Sequence, residues 1–208
     1  MWWFKRALAL TAGILAATGV FAVSIELADA NEQLILLNAD HWKVGDVEGR
    51  RCLILDVPGE QLPPVRRPGE YALYKSDESI GKFQVEAATL EPESVINRDI
   101  CLIFGYKDDT HFYYAHISSN SDNQFHNIIM RVDGESRTRI NQERDPEPKL
   151  SNGWKTIKIQ HFETGEINVF VDDLSTPVMT ANDTTYPVGK IGFGAFDDRA
   201  AFSRLELN

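Results

Sequence analysis

Apolar and polar residues alternate along this chain in short runs, each cut off by a turn signal. In residues 81–90, Phe83, Val85 and Ala87 fall on one side of an extended backbone. Lys82, Gln84 and Glu86 fall on the other. Period-two alternation predicts a half-buried antiparallel strand. Residues 154–162 repeat the pattern, with Ile157 and Ile159 opposite Thr156, Lys158 and Gln160. Residues 166–171 repeat it through Ile167, Val169 and Val171, after a turn at Thr164-Gly165.

The densest stretch is 99–134, where three apolar and aromatic runs are separated by Asp108-Asp109 and by the polar loop 118–123. We read strands at 100–106, 112–117 and 124–132. On the second, Tyr113, Ala115 and Ile117 face the core, and Phe112, Tyr114 and His116 face the opposite side. On the third, Asn127 and Arg131 oppose His126, Ile128, Met130 and Val132. Asp133-Gly134 is a hairpin turn returning into 136–140. Further short strands are expected at 34–37, 42–47, 51–57, 71–74, 178–181, 189–196 and 201–207. Residues 58–69 and 142–152 carry prolines unsuited to a sheet interior. No helical periodicity follows residue 30. About a dozen strands separated by turns predict an all-β antiparallel sandwich or jelly roll.

Composition changes the picture at the N-terminus. Lys5 and Arg6 precede an apolar run at 7–23, and Ala28-Asp29-Ala30 offers small residues for cleavage. This predicts a secretory signal peptide over 1–30 and one domain over 31–208. An uncleaved anchor is the alternative, since a hydrocarbon core takes about 20 apolar residues. The expected location is periplasmic or extracellular, with no membrane contact after cleavage. The net charge is −10 over 208 residues. Lys5 and Arg6 offset Glu26 and Asp29, so the expected mature part also carries −10. Such a charge argues against nucleic acid as a partner. Cys52 and Cys101 sit in apolar runs; an exported chain can bridge them, or each can serve as a small buried hydrophobe. Two cysteines make no zinc framework, and no metal site is expected. Acidic pairs at turns (Asp108-Asp109, Asp172-Asp173, Asp197-Asp198) leave calcium as the one cofactor to consider.

The succession at 104–118, 127–134, 154–173 and 189–207 resembles the concanavalin A-like lectin/glucanase sandwich, and more narrowly laminin-G-like or DUF1080-type secreted bacterial modules. The resemblance covers about residues 70–208 and implies the fold. That fold hosts lectins, binding modules, glycosidases and lyases, so the site must decide between them. The Glu-x-Asp-x-Glu strand of its glucanases is absent, and Glu86 has no carboxylate two residues away. Gln124-Phe125-His126 is similar to the Gln-(Ile/Val)-His motif of jelly-roll alginate lyases. That likeness implies an amide and an imidazole on one strand face, with Tyr114 or Tyr106 as acid and Arg66-Arg67 on a carboxylate. The companion Tyr-x-Lys-Ala-Gly-x-Tyr motif is missing. The expectation is therefore a non-catalytic carbohydrate-binding or adhesion-type module. Its glycan would lie on a sheet face bearing Tyr114, His116, Arg131, Lys158 and Glu86. A glycoside hydrolase or polysaccharide lyase is the alternative.

Overall fold

The computed structural model describes residues 23–60, 66–122, 124–141 and 149–208. Among them are fifteen strands and no α-helix. In chain order they are β1 (Val23–Glu26), β2 (Leu34–Leu36), β3 (Trp42–Val47), β4 (Arg50–Leu55), β5 (Glu70–Tyr74), β6 (Lys82–Thr89), β7 (Asp99–Asp108) and β8 (His111–Ser118). There follow β9 (Ile128–Asp133), β10 (Ser136–Arg139), β11 (Lys155–His161), β12 (Glu166–Val171), β13 (Met179–Asn182), β14 (Lys190–Ala195) and β15 (Ala200–Leu207).

Two antiparallel sheets form a sandwich. The eight-stranded sheet runs β13-β12-β11-β6-β15-β4-β3, with β1 also paired to β15. The seven-stranded sheet runs β10-β9-β8-β7-β14-β5-β2. The alternating residues of the sequence meet between them: Phe83, Val85, Ile157, Ile159, Ile167 and Val169 from one sheet face Leu102, Phe104, Tyr113, Ala115, Ile117 and Phe193 from the other. All twelve are buried, each such large side chain stabilising the fold by about 1.5–3 kcal/mol. The glycines of β14 mark a close backbone approach. A Cβ on Gly194 would lie 2.1 Å from the Glu70 carbonyl oxygen on β5.

The outer face of the seven-stranded sheet is also buried. Tyr71, Leu73, Cys101, Ile103, Phe112, Tyr114, Ile128, Met130, Val132 and Phe196 form a second apolar cluster there. Strands β7 and β8 are thus covered on both sides. The side expected to be an open face is instead a core layer, and Phe112 and Tyr114 are fully buried in it.

Several expectations are corrected. Residues 124–127 are not strand. The Asp122 carboxylate accepts backbone N–H groups from Gln124, Phe125 and His126, at 2.8, 2.6 and 3.3 Å, and Asn127 adopts φ +52°. A side chain that captures three successive donors replaces the ladder with a turn. Residues 1–22 of the expected leader lie outside the described residues. Its last eight belong to the fold: β1 pairs with β15, and Leu27 and Ala30 are buried. Cys52 and Cys101 are free and lie on the outer faces of opposite sheets, so no bridge joins them. His161, at the end of β11, is 2% exposed.

Candidate functional site

The structure distributes the five expected ligand-binding residues over three places. Tyr114 and His116 lie on the outer face of the seven-stranded sheet. Arg131 points from the same sheet toward the inter-sheet side, where its guanidinium meets Asp183 at 2.5 Å and Thr185 at 2.8 Å. The same Asp183 accepts from the Tyr113 hydroxyl at 2.7 Å, so Arg131 fastens the 183–186 loop to β8 and β9. Burial works against the Asp183 carboxylate, yet these bonds hold it below the usual range. Lys158 and Glu86 occupy the outer face of the other sheet. The Lys158 ammonium lies 3.8 Å from the Phe170 ring centroid and donates to the Leu174 carbonyl; partial burial lowers its pKa. Glu86 accepts from Arg50 at 3.0 Å and Ser203 at 2.9 Å. No single groove collects the five.

A cavity does form where the cover over the seven-stranded sheet opens. Its volume is 160 Å³, and Arg66, Asn97, Asp99, His116, Phe125, His126, Arg137, Phe196 and Asp197 line it. The 122–127 turn builds one wall. Because Asp122 gathers its backbone, Phe125 projects outward, 42% exposed, and its carbonyl accepts from His116 Nδ1 at 2.6 Å. His126 Nδ1 bonds the Asp122 carboxylate at 2.5 Å. Although the Asp122 carboxylate is partly buried, those backbone and imidazole donors hold it at about 2. The His116 and His126 rings are 5.2 Å apart, and His116 stacks on Phe196 at 4.8 Å.

Two guanidiniums converge over the aromatic floor. Arg66 and Arg137 stand 5.9 and 5.7 Å from the Phe196 ring, and Arg137 is 5.0 Å from Phe125. Arg137 also donates to the Tyr114 hydroxyl at 3.2 Å. Burial pushes that phenol well above its ordinary value, so Tyr114 remains a protonated, covered support beneath Arg137. Of the lyase-like motif, His126 reaches the cavity wall, whereas Gln124 is exposed outside it and Tyr106 packs against Tyr71 and Phe112. Arg67 is directed to Asp109 instead. The sequence reading missed Arg137, Phe196, Asn97 and Asp99. Their contribution depends on strands and loops distant in the chain, and Phe125 was noticed only as the middle of a motif.

The acidic pairs divide. Asp108 caps the Thr110 turn and bonds His111; Asp173 caps Ser175, and Asp172 accepts from Lys155. Asp197 and Asp198 instead approach Asp99, one oxygen of each within 4.8 Å of the others. The Asp99 amide donates to Asp198 at 2.7 Å, and Asp99 accepts from the Phe196 amide at 2.9 Å. Burial, then the neighbouring Asp99 charge, lifts the Asp198 carboxyl to about 7.

No family model matches this chain, and no curated protein matches its sequence. Solved structures do share its fold. The chain is similar to the carbohydrate-binding module CBM66 from Bacillus subtilis, at 15% identity and TM-score 0.59, over 84% of this chain and 95% of that one. It is also similar to the GH43 protein BlXynB from Bacillus licheniformis, at 8% identity and TM-score 0.56, over 83% of this chain but 36% of that protein. A putative β-glucanase from Mycobacterium abscessus aligns at 8% identity and TM-score 0.51, over 91% of this chain and 100% of that one. What the likeness shows is the fold: an antiparallel two-sheet β-sandwich shared with these carbohydrate-active proteins.

Proposed function

We propose that this protein is an exported, non-catalytic glycan-binding module that holds one sugar unit in the Phe125–Phe196 cavity. The observation that carries the reading is the exposed Phe125 ring standing over a cavity edged by Arg66, Arg137, Asn97 and His126. A sugar presents an apolar ring face and a girdle of hydroxyls, and a site for it needs an aromatic surface beside hydrogen-bonding groups. At 160 Å³ the cavity is smaller than the roughly 300–1,000 Å³ of drug-sized sites. That size suits a chain end or side branch rather than a run of units. The fold shared with a carbohydrate-binding module supports the reading. The likeness to laminin-G-like and DUF1080-type modules, together with the charged and apolar N-terminal segment, supports export. A leader compatible with the fold ends before Val23.

Calorimetry against oligosaccharides chosen from a glycan array tests binding. Saturable binding that falls at least tenfold in Phe125→Ala, with unchanged unfolding temperature, is expected. Equal binding by the variant refutes the site. N-terminal sequencing of protein from the exported fraction tests processing, and a mature chain beginning after Val23 contradicts the leader proposed here.

One observation favours an enzymatic alternative. Asp122 fixes His126 Nδ1, which leaves Nε2 as the basic atom near Arg66 and Arg137. A uronate held by the arginines beside such a base is the arrangement of a polysaccharide lyase. The hydrolase form has less support, because Asp99 and Asp197 come within 4.8 Å, closer than the roughly 5–9.5 Å that glycosidase carboxyl pairs keep. Release of unsaturated uronate, abolished in His126→Ala, would replace the binding-only reading.

A further inference from the structure

The inner end of this cavity contains donor atoms that sugar binding does not use. Asp99 and Cys101 are two residues apart on β7 and share its outer face. His116 is the direct cross-strand partner of Cys101 on β8. One carboxylate oxygen, Sγ and one imidazole nitrogen lie within 4.8 Å of one another, and all three residues are buried. His116 Nδ1 is committed to the Phe125 carbonyl, so in the neutral ring the lone pair is on Nε2. His116 is 4% exposed, and Nε2 has no hydrogen-bond partner. It faces Asp99 Oδ2 at 3.5 Å. Two acceptors opposed in a water-poor place repel each other, and a cation between them removes the conflict.

The spacing suits a metal ion better than a proton. Charge-assisted N–H···O bonds are about 2.7–2.9 Å long. Two ligands each about 2.0 Å from a tetrahedral zinc ion stand about 3.3 Å apart, near the observed separation. The supports are also those of a metal site. A ligating histidine usually donates its other N–H to a carbonyl or carboxylate, and here Phe125 supplies the carbonyl. The Asp99 carboxylate is held by the Phe196 amide.

We propose that Asp99, Cys101 and His116 bind a divalent transition-metal ion of the zinc class, with its open coordination position toward the cavity. Calcium takes six to eight oxygens, whereas thiolate and imidazole donors select zinc-like ions. Asp197, close to Asp99, adds negative charge that attracts a cation. On binding, the Cys101 thiol loses its proton to solvent and the thiolate enters the coordination sphere. Asp99 and His116 line the cavity and Cys101 lies behind them, so the fourth position faces the opening. The metal site stands whether or not the cavity takes a sugar.

The test uses the full chain stripped with chelator, titrated with Zn²⁺ by calorimetry and with Co²⁺ by absorption. One equivalent of each is expected, with a thiolate-to-cobalt charge-transfer band and no displacement by excess Ca²⁺. Cys101→Ala and His116→Gln each remove a ligand and should weaken Zn²⁺ binding by more than the roughly 10–100-fold that loss of an outer-shell partner costs. Cys52→Ala, on the opposite sheet, should leave it unchanged. If the Cys101 variant fails to fold, the wild-type cobalt spectrum still decides whether sulfur is a ligand. No binding, a cobalt adduct without the sulfur band, displacement by Ca²⁺, or equal loss in Cys52→Ala overturns the proposal.

Discussion

His161 ties the stability of the sandwich to pH. Its ring lies between the sheets, edge-on to Phe104 at 5.5 Å and to Tyr113 at 5.4 Å, with Nδ1 buried and unpartnered. Burial lowers its pKa from 6.5 to about 4, with Asp183 opposing the shift. The unfolded chain therefore binds a proton between pH 6.5 and 4 that the folded chain refuses, and stability falls as pH falls through that window. The difference between the two titrations gives a loss of about 2 kcal/mol at pH 5 and about 3 kcal/mol at pH 4. Asp198 acts in the opposite sense: its raised pKa of about 7 makes stability fall as pH rises from 3.8 toward 7. The wild-type profile alone thus conceals both groups. The informative measurement compares urea unfolding of wild type and His161→Phe from pH 4 to 7. Phenylalanine keeps the ring packing and removes the titrating nitrogen, so the variant should match or exceed wild type at pH 7. Its advantage should grow by about 2 kcal/mol at pH 5, roughly 4–8 °C in Tm for a domain of this size. A stability difference constant across the range would refute the buried neutral histidine.

Other predictions concern the polar supports of the fold. Glu70 is fully buried and accepts from the Asn38 amide, the Asn38 side chain and Trp42 Nε1 at 2.7–3.0 Å. Glu70→Ala should cost about 3 kcal/mol in chemical unfolding, because these donors lose their acceptor inside the protein. Asp122→Ala should release the 122–127 turn, raising amide exchange at Phe125 and His126 while leaving β7 and β8 protected. Since the Asp122 carboxyl is held at about 2, the turn should also loosen as pH falls from 3.8 through 2. Neither cysteine should react with an alkylating agent in the native state, and both should react in denaturant without prior reduction; a bridged pair would require a reductant.

The strands were legible where burial is one-sided. In β6 and β11, every second residue is polar because one face meets solvent, and the pattern assigns both the element and its orientation. In β7 and β8 the runs Ile100–Phe104 and Phe112–Ala115 do not alternate. Continuous apolar runs mark strands covered on both faces. That signal separates an open binding face from a second core layer, and it would have placed Tyr114 beneath a cover. The break before β9 also left a trace in the residue types. Asp122 and Asn127 are side chains that seize backbone groups and accept a left-handed backbone, and they bracket the segment that alternation assigns to strand.

What the sequence could not supply is the identity of the cover. Phe196 comes from the end of β14 and Arg66 from before β5, whereas Arg137 is delivered by the edge strand β10; no local pattern links them. Their convergence also explains why a cavity occurs at this end of β7 and β8. A sheet face buried under apolar side chains can exclude water completely, as it does around Phe112. At Asp99 and His116 the same face carries polar side chains that still require partners. The cover supplies some through Phe125, Phe196 and Asp198 and remains open where Arg66 and Arg137 rest on aromatic rings. A ligand or ion that completes the remaining polar valences would therefore bind there without disturbing the sandwich core. Substitutions at Arg131 or Glu86 would act on loop anchoring or on the far sheet instead.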